Sequence, residues 1–576
     1  MVISLVLAQA SPALFQTPSR PLITYADPFV GTENGGNIVP GAQIPFGFVH
    51  ASPDTVNPNT AGYNPFANIL GFSQTHVSGT GGATTSVQSR TIERSVHLDA
   101  PSPGSSRYAY VPFDVPPRAV RITISYQYDH TGGANTIDIG LFDARSSGSD
   151  TDRRGFRGWS GGRRSEFFVS RSEATPGYLQ GQMPAGTWHI ILGLYRVALS
   201  GVDVDFKISI TTEEQGLQST TSLGPTPTSS AIVGPSNPRP TSSFPPIPAR
   251  PDLRWWSGDL HMHTIHSDGD WTIGELLSSA RSRGLDFICI TDHNTSSHHL
   301  EIDRLSKSSS QPFVMRGEEI TTYGGHANAW GLPSGTWIDF RVSPKDNTGI
   351  TEIAAEVHRS GALISINHPF ALCGGCAWSY DAHGFDAIEV WNGEWDEADE
   401  KALTMWDKIL QTGRHITAIG SSDSHRAVNP IGRPTTHVAA RVESQRVLLD
   451  AIRQGRVYLT REVARPVLGF EAETMGKRPI RWMVGDEFHL RTPETIRFRV
   501  SAQSAPPGAT ITLVSNGQVL RSLPTTADGR AQVIDVECRR DSYYRLEVRD
   551  GAKTMLALTN PIYIKIGRMK SVPPRG

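Results

Sequence analysis

The chain has 576 residues, of which 38% are hydrophobic and 19% charged, a composition typical of a globular protein with several domains. Its 54 Lys and Arg residues nearly balance 56 Asp and Glu, and the formal net charge of −2 excludes broad, non-specific binding to long nucleic acid. We expect no membrane span, because no apolar run approaches the roughly 20 residues that a bilayer requires.

The N-terminus has some features of an export signal. Ile3 to Ala8 is a short apolar run, and Ala8-Gln9-Ala10 matches a small-residue cleavage site. No basic residue precedes the run, which is shorter than the usual stretch of roughly 7–15 apolar residues. Residues 1–23 are therefore interpreted as a truncated signal or a disordered start. We expect export to the periplasm or the exterior, with the cytoplasm as the alternative.

Residues 24–83 are rich in Gly, Pro and Asn. Tyr25–Thr32, Pro40–Phe48 and Gly71–Thr80 resemble the opening of the exo-α-mannosidases of glycoside hydrolase family ninety-two. The helical catalytic domain of that family has no counterpart further along the chain. The resemblance therefore implies a fused accessory segment that could contact carbohydrate, and it does not imply glycosidase activity.

The next region is predicted to be a β-sandwich, over residues 84–212. Apolar and polar residues alternate in Ala119–Tyr126 and Thr187–Tyr195, and turn residues separate such runs. This period of two is typical of antiparallel strands with one buried face. Residues 213–251 are dense in Ser, Thr and Pro and are predicted to be a linker, because they cannot bury enough apolar surface to offset the entropy of ordering.

From residue 252 to 460, short apolar strands alternate with helical segments, which predicts a parallel α/β fold. Ile273, Leu276, Leu277 and Ala280 form the apolar face of one helix, which Gly284 ends. A second helix contains Ile353, Ala354 and Val357; the predicted strands are 287–291, 362–366, 387–391 and 416–420. Residues 461–576 return to strands and Gly/Pro turns, which predicts a second antiparallel sandwich.

Histidine is concentrated in the predicted α/β region, where residues of metal-ligand type stand at the ends of strands. Such residues meet at one edge of a parallel barrel, where catalytic groups lie. His261 and His263 are two residues apart, so both face one side of a strand and can reach one ion. Asp423 and His425 repeat this spacing. The remaining candidates are Asp268, His293, Glu319, His326 and His368, with Glu318 as an alternative to Glu319.

The joint pattern resembles the PHP (polymerase and histidinol phosphatase) superfamily over roughly residues 255–440. That family has a distorted seven-stranded (β/α) barrel with two or three metal ions. The whole chain is thus expected to be an α/β protein, a distorted (β/α)7 barrel between two antiparallel β-sandwiches. Three further segments resemble the PHP metallohydrolases related to carbaryl hydrolase: Gly155–Gly161, Glu389–Gly393 and Leu558–Ile562.

The resemblance implies a ligand set of nine residues for two or three divalent ions, with zinc, manganese or iron expected. The first ion would be held by His261, His263, Glu319 and Asp423. Glu319 would bridge to a second ion, which His326 and His368 also hold. A third ion would be held by Asp268, His293 and His425.

Other candidate site residues adjoin these motifs. Asp292 is a candidate catalytic residue, but it neighbours His293 on a strand and should point the other way, supporting a ligand. Arg426 could bind an anionic substrate group, or form a surface ion pair. Trp391 and Asn392 are candidate pocket residues, with a core tryptophan as the alternative. Cys373-Gly-Gly-Cys376 could be a small disulfide, a metal site or two free thiols, in a loop near the metal site.

Clustered divalent ions lower the pKa of a bound water, supply hydroxide near neutral pH and polarise the bond under attack, so a hydrolase is predicted. The leading hypothesis is a phosphoesterase for small anionic substrates such as nucleotides or short oligonucleotides, of an exonuclease-like or nucleoside bisphosphate phosphatase-like kind. The second is hydrolysis of a carbamate, ester or amide, which the carbaryl hydrolase resemblance implies. The third is a carbohydrate-binding or cell-surface protein with an inactive barrel.

Overall fold

The computed structural model describes residues 87–102, 104–213, 247–305, 312–442 and 444–567, together with the backbone of three earlier strands. The chain divides into two compact units, Met1–Val87 with Glu214–Ser219 and Gln88–Glu213 with Thr220–Gly576. In the first unit, β1 (Ala42–Gln43), β2 (His50–Thr55) and β3 (Ile69–Ser73) form an antiparallel sheet. The predicted export signal and most of the predicted linker lie outside the described residues.

An antiparallel sandwich opens the second unit, as predicted, and is called here the N-terminal sandwich. One sheet has the order β5-β10-β7-β8 and the other β4-β11-β6-β9, in the numbering below. Alternate residues such as Ile122, Ile124, Ile190 and Ile208 are buried between the sheets. The strands are β4 (Val87–Leu98), β5 (Tyr108–Val115), β6 (Ala119–Tyr128), β7 (Thr136–Phe142), β8 (Phe156–Gly161), β9 (Glu166–Ser170), β10 (Gly186–Arg196) and β11 (Val202–Glu213).

Strands and helices then alternate over Arg254–Thr460, called here the metal region. Its strands are β12 (Arg254–Asp259), β13 (Phe287–Ile290), β14 (Phe313–Thr322), β15 (Gly325–Trp330), β16 (Leu363–Ile366), β17 (Ala387–Asn392), β18 (Thr417–Ser421), β19 (Thr435–Ala440) and β20 (Val457–Thr460). Its helices are α1 (Ile273–Arg283), α2 (His299–Leu305), α3 (Asn347–Arg359), α4 (Glu397–Gln411) and α5 (Gln445–Arg453). None of the helices in the described part of the chain is long and apolar enough to span a membrane.

Local sequence signals explain the bounds of α1. The Thr272 side chain accepts a hydrogen bond from the Glu275 amide, and the Glu275 side chain accepts one from the Thr272 amide. This capping box satisfies backbone donors that the first turn leaves without helical partners. Gly284 ends the helix with φ of 77°, a conformation that glycine adopts without a Cβ penalty. The predicted apolar face is buried, so the helix prediction is confirmed.

The sheet of the metal region is mixed, which corrects the prediction of a parallel sheet. Neighbours pair parallel in β12–β13–β14 and in β16–β17–β18. Between these runs, β15 pairs antiparallel with both β14 and β16. Only Tyr323 and Gly324 separate β14 from β15, and a two-residue connection permits a hairpin but no crossover to a parallel strand.

The two edges of this sheet approach each other without continuous pairing. Met262, after β12, and Ser424, after β18, form an isolated parallel bridge. The Asp423 amide donates to the His261 carbonyl, and the His263 amide donates to the Ser424 carbonyl. The architecture is therefore mixed α/β and rich in sheet, and these bonds bring the two motifs with i, i+2 spacing side by side.

The remaining strands form a C-terminal sandwich that shares a sheet with the metal region. β20 pairs with β29, which continues the large sheet through β28, β25 and β26, so the second sandwich is not a separate pair of sheets. The opposing sheet has the order β22-β21-β24-β27. The strands are β21 (Val467–Thr474), β22 (Arg481–Met483), β23 (Glu487–Leu490), β24 (Glu494–Gln503), β25 (Thr510–Ser515), β26 (Gln518–Pro524), β27 (Gln532–Cys538), β28 (Ser542–Arg549), β29 (Met555–Thr559) and β30 (Ile562–Ile566).

His437 in β19 provides a test of this packing that is independent of metal. Its Nδ1 lies 2.9 Å from Ser257 Oγ and its Nε2 lies 2.7 Å from Thr460 Oγ1, in a fully buried site. Burial lowers the pKa of His437 to about 3, so the folded protein holds it neutral. Its contribution to stability is present above the unfolded pKa of about 6.5 and is lost as the pH falls towards 3.

We therefore expect His437→Gln to reduce the acid sensitivity of folding. Between pH 7.5 and 5, the wild type should lose about 2 kcal/mol more stability than the variant, since each pH unit costs up to roughly 1.4 kcal/mol for one group. Thermal unfolding midpoints of both proteins, measured at the two pH values, check this. Equal shifts of the midpoint would show that His437 is not held neutral.

Candidate metal centre

The nine predicted ligands converge at one end of the metal region. His261, His263 and Asp268 follow β12, His293 follows β13 and His368 follows β16, while Asp423 and His425 follow β18. Glu319 lies in β14 and His326 in β15, so the hairpin contributes the other two. Their ligand atoms form four overlapping groups, each within 4.8 Å: His263/Asp268/His293/His425, His261/His263/Asp423, His261/Glu319/His368 and His293/Glu319/His326.

Glu319 belongs to two of these groups and contacts imidazoles from all four. Its Oε1 lies 3.3 Å from each of His261 Nε2, His326 Nδ1 and His368 Nε2, and its Oε2 lies 2.8 Å from His293 Nδ1. One fully buried carboxylate thus contacts imidazoles from four different strands or strand ends. This is the geometry expected of a bridging ligand.

Asp423 and Asp268 occupy the two ends of the cluster. Asp423 Oδ1 lies 3.0 Å from His263 Nε2 and 3.3 Å from His261 Nε2. Asp268 Oδ1 lies 3.2 Å from His425 Nε2 and 3.5 Å from His293 Nε2. His263 belongs to both ends, so its imidazole links the two groups.

The backbone is strained at two of these residues. His368 has φ of 24° and Asp423 has φ of 50°, both in the left-handed region that residues other than glycine seldom adopt. Such conformations cost roughly 1–3 kcal/mol each and persist where surrounding structure enforces them, often at functional sites. The fold therefore stores strain at two predicted ligands.

The charges of the cluster are mutually dependent. Burial opposes ionisation of Glu319, but His293 and His261 hold its pKa well below the usual range. Burial also opposes protonation of His293, yet Glu319 and Asp268 raise its pKa to about 9. For His263, burial and the neighbouring His425 and His293 lower the pKa to about 4. The site thus holds carboxylates in the charged form that binds cations.

Several buried polar atoms in the cluster fit a cation. Asp268 Oδ1, Glu319 Oε2 and His326 Nδ1 make no hydrogen bond with good geometry among the described residues. Leaving a buried polar atom unsatisfied costs about 1–3 kcal/mol, and divalent ions bound in the overlapping groups would satisfy these atoms. Imidazole nitrogens and carboxylate oxygens are ligands typical of zinc, manganese and iron.

Asp292 lies beside the cluster and points away from it, as predicted. Its Oδ1 accepts hydrogen bonds from the Thr264 amide at 2.7 Å and from Ser267 Oγ at 2.7 Å. Ser267 Oγ in turn lies 3.5 Å from His263 Nδ1. Asp292 therefore fixes the turn after β12 and supports His263 through Ser267. Its carboxylate faces away from the cluster, so the structure does not support the prediction that it is catalytic.

Sequence reasoning missed Glu389 as a functional residue. This buried carboxylate accepts the His368 amide at 2.9 Å and lies 3.2 Å from His261 Nδ1. An outer carboxylate of this kind orients an imidazole ligand and increases its basicity. The available signal was its place at the start of Glu389–Gly393, a segment already singled out in the sequence.

Two predicted pocket residues lie elsewhere. Trp391 is fully buried in the core, where its Nε1 donates to the Gly393 carbonyl at 3.0 Å; the register of β17 shifts between Glu389 and Trp391, so strict strand alternation does not carry through this segment. Asn392 Nδ2 lies 3.0 Å from Glu389 Oε2 and 3.3 Å from Asp423 Oδ2, so it orients a ligand. The assignment of Trp391 to a pocket is wrong, and Asn392 supports the cluster instead.

The cluster opens into a cavity of about 630 Å³, called here the metal pocket. Arg426 lines it with a half-exposed side chain, and its Nε lies 3.9 Å from Asp270 Oδ2. Cys373 and Cys376 also line it and are joined in a disulfide. The loop that they close therefore lies at the metal site, as predicted.

Two segments of the chain match the models of known protein families. Residues 259–365 match the PHP domain family. The chain contains a PHP domain. The match covers six of the nine predicted ligands and ends before His368, Asp423 and His425. The match confirms the prediction of a metal-dependent hydrolase at the level of the enzyme class and does not identify the substrate.

The N-terminal resemblance is also confirmed. Residues 25–92 match the glycosyl hydrolase family 92 N-terminal domain. An uncharacterised secreted glycosidase from Arthroderma benhamiae is 43% identical over 63 residues, which are 11% of this chain and 8% of that protein. The chain thus matches less than a tenth of the length of this curated relative.

Two solved structures resemble parts of the chain. A two-domain protein from Bacteroides vulgatus, containing a predicted PHP-like metal-dependent phosphoesterase, is 17% identical with a TM-score of 0.34, and the match covers 57% of this chain and 100% of that one. An amidohydrolase from Chromobacterium violaceum with bound sulfate is 13% identical with a TM-score of 0.22, covering 30% and 89% of the two chains.

Glu319 and its neighbour Glu318 form a matched pair for testing the cluster. Glu318 is also buried but points away, and its Oε2 accepts the Ile338 amide at 2.9 Å. We expect Glu319→Gln to weaken metal binding by more than the roughly 10- to 100-fold that loss of an outer partner costs. Glu318→Gln should retain the metal, because burial already raises the pKa of Glu318 and favours its neutral form. Elemental analysis after dialysis distinguishes them, and equal metal contents would contradict the assignment of Glu319.

The disulfide gives a second prediction for this site. The chain has 4 cysteines, and Cys289 and Cys538 are buried thiols in the structure. Denatured protein that has not been reduced should therefore react with a thiol reagent at Cys289 and Cys538 alone, and reduction should add the other pair. Reaction of all the cysteines before reduction would show that Cys373 and Cys376 are not bonded.

Proposed function

We propose that this protein is a metal-dependent phosphoesterase that acts on small phosphorylated compounds, such as nucleotides or short oligonucleotides. The observation that carries the proposal is the set of overlapping ligand groups around Glu319 at an open pocket. Three divalent ions would bring six positive charges against the three carboxylates of the cluster. The resulting excess of positive charge favours an anionic phosphate and its transition state.

In this proposal each ligand has a defined task. His261, His263, Glu319 and Asp423 would hold one ion, and Glu319, His326 and His368 would hold a second. Asp268, His293 and His425 would hold a third. Divalent ions, when bound, lower the pKa of water and polarise the bond under attack. The number of ions and the choice among zinc, manganese and iron belong to the proposal.

Other residues of the chain position the substrate. Arg163 and Arg426 both line the metal pocket and both face Asp270, with Arg163 Nη2 at 2.8 Å and Arg426 Nε at 3.9 Å from its carboxylate. Two guanidinium groups against one carboxylate leave positive charge at the rim, which would attract an anionic substrate. Arg426 is proposed to bind the phosphate by a charge-assisted hydrogen bond.

A second candidate activity is hydrolysis of a carbamate, ester or amide. The observation that favours it is the uncharged aromatic part of the pocket wall, formed by Trp159, Tyr195 and Tyr323. Such side chains could pack against an aryl group. In this case the ions would polarise a neutral carbonyl, and the positive charge of the site would matter less.

We also propose a barrel architecture, export from the cytoplasm and a carbohydrate contact. The curled sheet of the metal region would be a distorted (β/α)7 barrel. Export is supported by the bond between Cys373 and Cys376, because disulfides persist in oxidising compartments. The segment at residues 25–92 would contact carbohydrate, in keeping with the family that it matches.

Asp268→Ala separates the two activities. The variant should lose at least roughly 10-fold more kcat/KM on an aryl phosphate than on an aryl carbamate, because its ion helps neutralise the phosphate. Arg426→Ala should act in the same direction, whereas His261→Ala should abolish both reactions. The assay uses purified protein supplied with Mn, Zn or Fe. Turnover of carbamates with no phosphoester turnover in the wild type would overturn the proposed function in favour of the second candidate.

A further inference from the structure

The N-terminal sandwich forms one wall of the metal pocket. Asp138, Trp159, Arg163 and Tyr195 line the same cavity as the ligand cluster, although they precede its first ligand, His261, by 66 to 123 residues in the chain. The sandwich thus places a carboxylate, that of Asp138, in the wall of the candidate active site. The wall therefore meets whatever part of a substrate extends beyond the metal ions.

Asp138 is held in this wall by a residue of the metal region. Tyr323, in the hairpin turn between β14 and β15, donates its hydroxyl hydrogen to Asp138 Oδ2 at 2.7 Å. Its ring stacks on Tyr108 of the sandwich, with centroids 5.6 Å apart. A Cβ added at Gly193 of β10 would lie 1.9 Å from the Tyr323 hydroxyl, so only glycine leaves room for this contact.

A second tyrosine, beside Tyr323, makes a similar contact between the two domains, and the two rings have centroids 5.8 Å apart. Tyr195, from the sandwich, donates its hydroxyl hydrogen to the Gly374 carbonyl at 2.6 Å, within the disulfide loop. A Cβ at Gly374 would lie 2.2 Å from the Tyr195 hydroxyl. Each domain thus inserts a tyrosine over a glycine of the other, and these paired contacts fix the position of Asp138 relative to the cluster.

The chemistry of Asp138 restricts what it can bind. An ionised carboxylate only accepts hydrogen bonds and has about four lone-pair sites. The Tyr323 hydroxyl occupies one of them, and burial raises the pKa of Asp138 to about 6 although Tyr323 and His293 act to lower it. A ligand group beside Asp138 must therefore be a hydrogen-bond donor, and a second anionic group there would be repelled.

We propose that Asp138 is a specificity-determining residue that accepts a hydrogen bond from a hydroxyl on the alcohol part of the substrate. The preferred substrates are then phosphate esters of hydroxylated compounds, with the phosphate at the cluster and a hydroxyl at the sandwich wall. Plain alkyl and aryl phosphates lack the group that Asp138 recognises. This inference rests on the proposed phosphoesterase function and names its substrate class.

Glycerol 3-phosphate and n-propyl phosphate form a matched pair of probes, because they share a three-carbon chain and differ in hydroxyl groups. In the wild type, kcat/KM for glycerol 3-phosphate should exceed that for propyl phosphate by at least about 10-fold, the worth of a hydrogen bond to a charged group. Asp138→Ala should remove this preference, mainly by raising KM for glycerol 3-phosphate. Asp138→Asn, which keeps an acceptor oxygen and the size of the side chain, should retain part of it.

Asp205→Asn is the matched control, since Asp205 is an exposed aspartate of β11 outside the metal pocket. It should leave both kcat/KM values within about 3-fold of the wild type. The metal content and thermal midpoint of each variant distinguish a role of Asp138 in recognising the substrate hydroxyl from a role in docking the two domains. If Asp138 only docked the two domains, its variants would lower the midpoint and reduce turnover of both esters alike.

The outcomes distinguish this inference from the function on which it rests. Turnover of both esters with equal kcat/KM in the wild type would overturn the inference and leave the phosphoesterase standing. A preference for glycerol 3-phosphate that persists in Asp138→Ala would also overturn it. Turnover of neither ester with any of the three metals would overturn the proposed function and the inference together. A preference lost in Asp138→Ala at unchanged metal content supports it.

Discussion

The contact of one buried carboxylate, Glu319, with five imidazoles is the constraint on which the site depends. A lone ion in the interior is costly to desolvate, and the cost is offset only where partners of opposite charge lie in good geometry. The partners of Glu319 come from β12, β13, β15 and β16 or the residues that follow them. The cluster can form only where these strand ends converge. Metal binding at this site therefore depends on the curl of the sheet.

Contacts from the surrounding protein stabilise the strained backbone at two of the converging ligands. His368 and Asp423 have left-handed backbone, and both are fixed by neighbours: the His368 amide donates to Glu389, and Asn392 Nδ2 lies 3.3 Å from an Asp423 carboxylate oxygen. The C-terminal sandwich also contributes. The Asn560 side chain bonds to both the amide and the carbonyl of Ala418 in β18, at 2.8 Å each. The edge that carries Asp423 and His425 is thus stabilised from the adjacent domain.

The sequence predicted which side chains converge, because their spacing along the strands is a local property. Two residues at i, i+2 after an apolar strand share a face whatever the rest of the fold does, as His261 and His263 illustrate. Glu389 and Asp138 were not predicted, since their roles arise from contacts with residues distant in the chain. Trp391 was assigned wrongly because a tryptophan next to a site motif has no local mark of which face it occupies. The antiparallel hairpin at Tyr323 was also missed, although the short gap between its strands could have indicated it.

Anomalous X-ray scattering from crystals of metal-loaded protein, recorded on both sides of the absorption edge of the metal, examines the cluster itself. At least two anomalous peaks should lie between the nine side chains, with Glu319 adjacent to more than one of them. The same data should show Glu318 and Trp391 without a peak nearby. A single peak elsewhere, or no peak among these residues in fully loaded protein, would contradict the account.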